Sequence, residues 1–297
     1  MSQLKKAFAN EEIVVTCELS PPKGTDLSGL FAKADDLKSM VHGINVTDSA
    51  TARMTLDPMV AAHELHKRGV EPILQITSRD KNRLAIQSGM LGASVLGVPN
   101  MVIMGGDPPK IGDHPEAKGV YDLFASQIVE AAHALNQGTD LAGNPTNAKT
   151  DFFIGSVFNH GANDMEGEVT NTQRKIEAGA EFFQTQAIYE VEEFETFMEK
   201  LGVSGLNVLA GIIPIKSVKM ATYMNERVPG INIPDAMIQR IQQAEADGNV
   251  VDVSLEIAAT TMNELRGRCR GFHLMCIGWE KHIPALLQRA EALRSAT

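Results

Sequence analysis

Short apolar, β-branched runs alternate along this chain with longer segments whose apolar residues recur at helical spacing. Runs over 13–19, 43–47, 70–77, 99–106, 152–158, 180–186, 207–214 and 271–278 predict eight strands. Segments 27–40, 58–68, 80–92, 120–135, 165–178, 191–201, 217–226, 234–246, 250–268 and 280–294 predict helices. Asp26 and Asp57 stand where N-caps belong, and Gly179 where a helix C-terminal glycine does. The longest loop covers 136–150. The strands are near-continuous apolar runs, the pattern of parallel strands buried on both faces. Eight strand–helix units in 297 residues predict an α/β fold, a single (β/α)8 barrel domain spanning 1–297. A doubly wound open sheet is the alternative, but no GxGxxG follows an early strand.

Composition narrows the partners. Hydrophobic residues at 43% and charged residues at 22% exclude a disordered chain. A formal charge of −10 argues against nucleic acid or an anionic membrane as partner, since both select a basic face. An anionic small molecule stays compatible, because a pocket can be basic on an acidic protein. Cys17, Cys269 and Cys276 are scattered and form no CxxC, which predicts neither a disulfide framework nor a metal site. The first dozen residues carry no apolar core of a signal peptide, and no apolar stretch reaches membrane-spanning length. A cytoplasmic protein is expected.

In a barrel the chemistry gathers at the C-terminal ends of strands. There the chain carries Glu18, then Thr47-Asp48-Ser49, Gln75 and Thr77, Gly105-Gly106-Asp107-Pro108-Pro109, Asn159-His160, Gln184-Thr185-Gln186, and His273 with Cys276. Carboxylates and amides dominate, without a serine–histidine pair, a strand-end lysine, or an HxH or HExxH. This set suits a heteroaromatic ligand held by donor–acceptor pairs, with a carboxyl for proton transfer. Each residue also has a plainer reading. Glu18 interrupts an apolar strand and is either a surfaced ion-pair residue or a general acid. Asp107 is either a turn aspartate or part of a preorganised ligand loop, in which the two glycines admit close approach and the two prolines stiffen the exit. His273 in an apolar strand reads first as a satisfied core histidine. Arg174-Lys175 is either a solvated helix face or a diphosphate holder. Met101, Met104 and Met275 read as core, and Tyr189 and Trp279 as packing or rim residues.

The segments ELSPPKGTD, INVTDSATAR, GGDPPK, RKIEAGAEFFQTQ, AGIIPIKS and VPGINIP occur in this order, at predicted strand ends. On them the chain resembles the methylenetetrahydrofolate reductases, FAD-containing (β/α)8 barrels, over nearly its whole length, and looks closest to their compact bacterial branch. The resemblance implies that 5,10-methylenetetrahydrofolate and 5-methyltetrahydrofolate are interconverted by flavin hydride transfer, with NADH, NADPH or a redox partner protein as electron source. Some relatives run in the oxidative direction. Glu18 then matches the proton donor to the folate, Asp107 the carboxylate that contacts pterin and flavin and stabilises the cation, and Gln186 the amide that holds folate or nicotinamide in turn. Thr47 matches a contact shared by substrate and flavin. Asp48, Ala50, Gly106, Asn171, Arg174 and Lys175 match further FAD contacts, and Asn159 joins them across a gap. Gln75 matches a flavin contact, standing where better-known members carry a histidine near the ring, and Val218 stands where they carry an aromatic residue. Homo-oligomers are common in the family. The rival expectation is a non-redox pterin-binding barrel serving as a folate methyltransferase subunit.

Overall fold

The computed structural model describes residues 2–10 and 13–296. The strands β1 (Val14–Leu19), β2 (Gly43–Val46), β3 (Pro72–Thr77), β4 (Asn100–Met104), β5 (Phe153–Phe158), β6 (Phe182–Ala187), β7 (Val208–Ile212) and β8 (Gly271–Leu274) close in sequence order into a parallel barrel. The expected (β/α)8 barrel is therefore the observed fold. The helices are α1 (Gln3–Ala9), α2 (Ser28–Leu37), α3 (Pro58–Lys67), α4 (Arg83–Val95), α5 (Ala125–Gln137), α6 (Met165–Glu177), α7 (Val191–Leu201), α8 (Val218–Arg227), α9 (Asp235–Asp247), α10 (Val250–Glu264) and α11 (Ile283–Ala296). None among the described residues is long and apolar enough to cross a membrane.

Strand alternation divides the side chains. In β1, Val15, Cys17 and Leu19 join the large apolar layer between barrel and helices, whereas Val14 belongs to a separate cluster inside the barrel. Burial on both faces explains why the strands read as continuous apolar runs. Local chemistry explains many helix ends. Asp57, Asn82, Asp164 and Ser217 each accept a hydrogen bond from a first-turn backbone N–H. Gly138, Gly202 and Gly248 end α5, α7 and α9 in left-handed conformation, which costs a glycine no Cβ clash.

Several boundaries differ from expectation. The helix expected from residue 80 begins at Arg83, because Asn82 rather than Asp80 caps it. That expected from 120 begins at Ala125, after Tyr121 turns the chain with φ 44°. The eighth strand stops at Leu274, and Ile277 follows with φ 47°. A 3-10 turn (Glu280–His282) precedes α11. Leu27, not Asp26, is the residue flanking α2, although the Asp26 carboxylate accepts the Ser28 N–H at 2.9 Å.

Helix α1 had no counterpart among the expected elements. Its Leu4, Ala7 and Phe8 pack on Val14, Ile73, Val102, Phe153, Phe182 and Leu209 inside the barrel. The Phe8 ring lies 5.6 Å from Phe153 and 5.7 Å from Phe182, which stack on each other at 4.8 Å. This aromatic stopper fills the N-terminal mouth. The opposite mouth, ringed by the loops that follow the strands, is the one left open to a ligand.

Candidate active site at the C-terminal mouth

A cavity of about 350 Å³ lies at that mouth, within the range of small-molecule sites. Glu18 of β1, Gln75 and Thr77 of β3, Val157 of β5, Gln184 and Gln186 of β6 and His273 line it from the strands. Thr47, Asp48, Ala50, Gly106, Asp107 and Asn159 line it from the loops. Met104, Phe158 and Met275 add apolar wall. Met104 and Met275, expected in the core, pack against it and also line this cavity. Apolar surface broken by a few amides and hydroxyls suits a flat heteroaromatic ring with polar edges.

Glu18 lines the cavity near the end of β1. Its side chain is 23% exposed, and Oε2 lies 3.8 Å from His273 Nε2. Thr47 is buried, and its hydroxyl donates to Ser20 Oγ at 2.9 Å. Asp48 is buried too. Its Oδ2 accepts from the Thr77 N–H at 3.0 Å and from the Thr77 hydroxyl at 2.9 Å. Burial pushes the Asp48 carboxyl above the ordinary carboxylate range, while the Lys81 cation and these two bonds oppose that shift. Gln186 is half-buried, with Oε1 accepting from the Ala187 N–H at 3.0 Å.

The loop after β2 is strained. Ser49, Thr51 and Ala52 have φ of 49°, 53° and 54°, a region L-residues avoid at about 1 kcal/mol each or more. Two anchors hold it. Asp107 Oδ2 accepts from the Thr51 N–H at 3.0 Å. Arg79, whose side chain is 3% exposed, donates from Nη1 to the carbonyls of Ser49 and Asp107 at 3.3 Å each and from Nη2 to that of Asp48 at 3.4 Å. Its Nε and Nη2 also bind the Asp80 carboxylate, which raises the guanidinium pKa further. One buried cation therefore ties the loops after β2, β3 and β4 together. Gly106 takes φ 83°, and a Cβ there would come within 2.9 Å of Thr77 Cβ.

The α6 residues behave differently. Glu168 reaches the cavity lining, where Oε1 accepts from the Asn159 N–H at 3.1 Å and Oε2 from Asn171 Nδ2 at 3.1 Å. Lys175 is buried. Its Nζ donates to the Val157 carbonyl at 2.7 Å and lies 3.8 Å from Glu168, while burial lowers its pKa. Arg174 is exposed. Glu18, Thr47, Asp48, Ala50, Gln75, Gly106, Asp107, Asn159 and Gln186 are thus brought round one cavity, while Asn171, Arg174 and Lys175 stand outside its lining.

Sequence reasoning missed Arg79 and Glu168. An Arg-Asp pair directly after a strand end was the available signal for the first. Glu168 carried none, since an acidic residue in a first helical turn is ordinary. Among the described residues, no group of three or more His, Cys, Asp or Glu is arranged to hold a metal ion.

Comparison with known proteins adds to this picture. The family profile described as methylenetetrahydrofolate reductase matches residues 3–291. Methylenetetrahydrofolate reductase 2 of Schizosaccharomyces pombe is 24% identical over 269 residues, covering 83% of this chain and 40% of the relative. The 5,10-methylenetetrahydrofolate reductase of Pectobacterium carotovorum is 24% identical over 227 residues, covering 73% of this chain and 70% of the relative. Among solved structures, a Clostridium thermocellum protein described as binding two copies of 5-methyl-5,6,7,8-tetrahydrofolic acid superposes with a TM-score of 0.55 at 17% identity, covering 99% and 100% of the two chains. A 2,3-dimethylmalate lyase does so with a TM-score of 0.53 at 14% identity, covering 98% of this chain and 85% of the lyase. At such identities these two structures speak to the fold alone. The chain spans about 40% of the length of its fungal relative.

Proposed function

The chain belongs to the methylenetetrahydrofolate reductase family, and on that premise we propose that it interconverts 5,10-methylenetetrahydrofolate and 5-methyltetrahydrofolate with a bound FAD, in the cytoplasm. The observation that carries the reading is the partly buried Glu18 carboxyl in a ring-sized cavity edged by amides and hydroxyls.

In the reducing direction Glu18 gives its proton to the folate nitrogen released as the five-membered ring opens. The ring C–N bond breaks, and the positive charge stays on the iminium that remains. Asp107, anchored by the Thr51 N–H, presents a fixed carboxylate that stabilises that cation without reorganising. Gln186 and Thr47 supply the donor and acceptor atoms that orient the pterin edge. In the opposite direction Glu18 recovers the proton, so one group serves both senses.

A cavity of about 350 Å³ edged by amides and hydroxyls supports the binding of a flavin ring. Gln75, Thr47, Asp48, Ala50, Gly106 and Asn159 would hold it, Asn171 would add a further contact, and Arg174 and Lys175 would meet the phosphates or adenosine, Lys175 only on leaving the Val157 carbonyl. When bound, the flavin supplies or accepts the hydride that completes the interconversion. NADH, NADPH or a partner protein would exchange electrons with it. Val218 in place of an aromatic residue weakens the case for a nicotinamide donor without replacing it, and Gln75 in place of histidine bears on the flavin potential. A homo-oligomer forms part of the same reading.

A second reading, a non-redox pterin-binding barrel serving as a folate methyltransferase subunit, is favoured by one observation. Arg79 is the one lysine or arginine among the lining residues, and it is engaged with Asp80 and three carbonyls. The visible spectrum of the purified protein, followed by anaerobic addition of 5-methyltetrahydrofolate, decides between them. A flavin spectrum that bleaches supports the reductase. A colourless protein that takes up no FAD overturns it. Glu18→Gln should then abolish the folate half-reaction while flavin reduction by dithionite proceeds, and equal loss of both would refute the proton-donor role.

A further inference from the structure

Beneath the cavity a polar chain crosses the barrel interior. The side-chain amides of Asn45 and Gln184 pair reciprocally, with Asn45 Nδ2 donating to Gln184 Oε1 at 2.7 Å and Gln184 Nε2 donating to Asn45 Oδ1 at 3.1 Å. The same Gln184 Nε2 reaches Thr16 Oγ1 at 3.5 Å. Thr16 Oγ1 lies 2.9 Å from His273 Nδ1, and His273 Nε2 lies 3.8 Å from Glu18 Oε2. Thr16, Asn45, Gln184 and His273 are all buried.

Buried donors need acceptors, because an orphaned one costs about 1–3 kcal/mol. That requirement orders the chain. Gln184 Nε2 has two protons, one for Asn45 and one for Thr16. The Thr16 oxygen is thus an acceptor toward Gln184, and its own proton has His273 Nδ1 as its acceptor. A His273 protonated on Nδ1 alone would leave the Thr16 proton without a partner and turn a lone pair toward the Glu18 carboxylate. We infer that His273 is a positioning residue: the Asn45–Gln184–Thr16 chain holds it as the Nε2–H tautomer, and its N–H orients the Glu18 carboxyl for proton exchange with the folate. The gap of 3.8 Å is slightly beyond hydrogen-bond length, and rotation of the partly exposed Glu18 side chain closes it. The inference rests on the proton-donor reading of Glu18. It adds that this donor is aimed by a chain that starts at Asn45 on the neighbouring strand β2 and passes through Gln184 on the distant strand β6.

Two measurements test it. The first is histidine 15N–1H NMR of the wild-type protein and of Thr16→Val, which keeps the shape of residue 16 without its hydroxyl. The wild type should show His273 protonated on Nε2 and bare on Nδ1, and Thr16→Val should lose that fixed assignment. The second is the folate half-reaction of the flavin-loaded protein. Thr16→Val should slow its rate constant about tenfold with folate KM within twofold. His273→Leu should slow it about a hundredfold, and His273→Gln, whose amide N–H substitutes for Nε2–H, should restore at least tenfold of that loss. A wild-type His273 protonated on Nδ1, or His273→Gln no faster than His273→Leu, overturns the proposal. Should His273→Leu fail to fold, the tautomer in the wild type and the Thr16→Val rate decide it alone. A Glu18→Gln protein with full folate turnover would instead refute the Glu18 reading itself, whatever the tautomer.

Discussion

Gly155 lies in β5 between the aromatic stopper and the cavity, and Gly155→Ala should be among the costliest single-methyl additions in this barrel. A Cβ at that position would stand 2.3, 2.6 and 2.7 Å from three ring carbons of Phe182. Ordinary contact needs roughly 1 Å more, so the ring must retreat. Phe182 is fully buried, with Phe153 stacked at 4.8 Å and Phe8 at 5.7 Å. Overpacking of this kind costs about 1–3 kcal/mol, and a ring boxed in by two others puts this case near the top, about 3 kcal/mol. For a chain of this size that is a fall of roughly 6–10 °C in Tm. Thermal melts followed by circular dichroism measure it. The double variant Gly155→Ala/Phe182→Leu supplies the control, because a smaller side chain makes room for the methyl. Its loss should fall short of the sum of the single losses by at least about 1 kcal/mol. A Gly155→Ala protein melting within 2 °C of wild type (about 1 kcal/mol or less), or strict additivity in the double variant, would refute the steric argument.

Three further predictions concern other parts of the molecule. His160 is 1% exposed with Nδ1 unpartnered, and burial holds its pKa down at about 4 against 6.5 when unfolded. The unfolded chain therefore binds the extra proton first, so this stability is full above pH 6.5 and is lost as pH falls toward 4, by about 3 kcal/mol; His160→Gln should show a shallower acid decline, and parallel pH–stability curves would sink the claim. Phe8→Ala should cost about 3 kcal/mol through the cavity left against Phe153 and Phe182 while leaving affinity for the proposed folate ligand within twofold, since the stopper is at the far mouth; an unchanged melting temperature would contradict it. Arg79→Met should cost about 2 kcal/mol and speed hydrogen exchange of the Thr51 amide at least tenfold, with Arg79→Lys no better because an ammonium cannot span three carbonyls and a carboxylate; wild-type exchange at Thr51 would mean that the loop stands without the clamp.

Much of this protein is legible in one dimension. The order and number of strands follow from apolar runs of strand length, because burial on both faces writes itself into every residue of a strand. The strand-end rule then brought Glu18, Asp107, Gln75 and Gln186 forward without coordinates, since a polar residue closing an apolar run stands out in sequence. What depends on contacts between distant segments is not written locally. Helix α1 is too short for its periodicity to announce it, and its place in the barrel mouth is decided by Phe153 and Phe182, well over a hundred residues away. Arg79 looks like any charged residue after a strand until three loops fold around it, and Ser49, Thr51 and Ala52 show no glycine to betray their left-handed backbone. His273 reads as core and is buried as such, yet only closure of β1 against β8 sets it between Thr16 and Glu18. Periodicity and burial act on neighbours along the chain, so the sequence determines them alone. Hydrogen-bond partners, strain and the aim of a carboxyl are set across the barrel, and only the closed structure decides them.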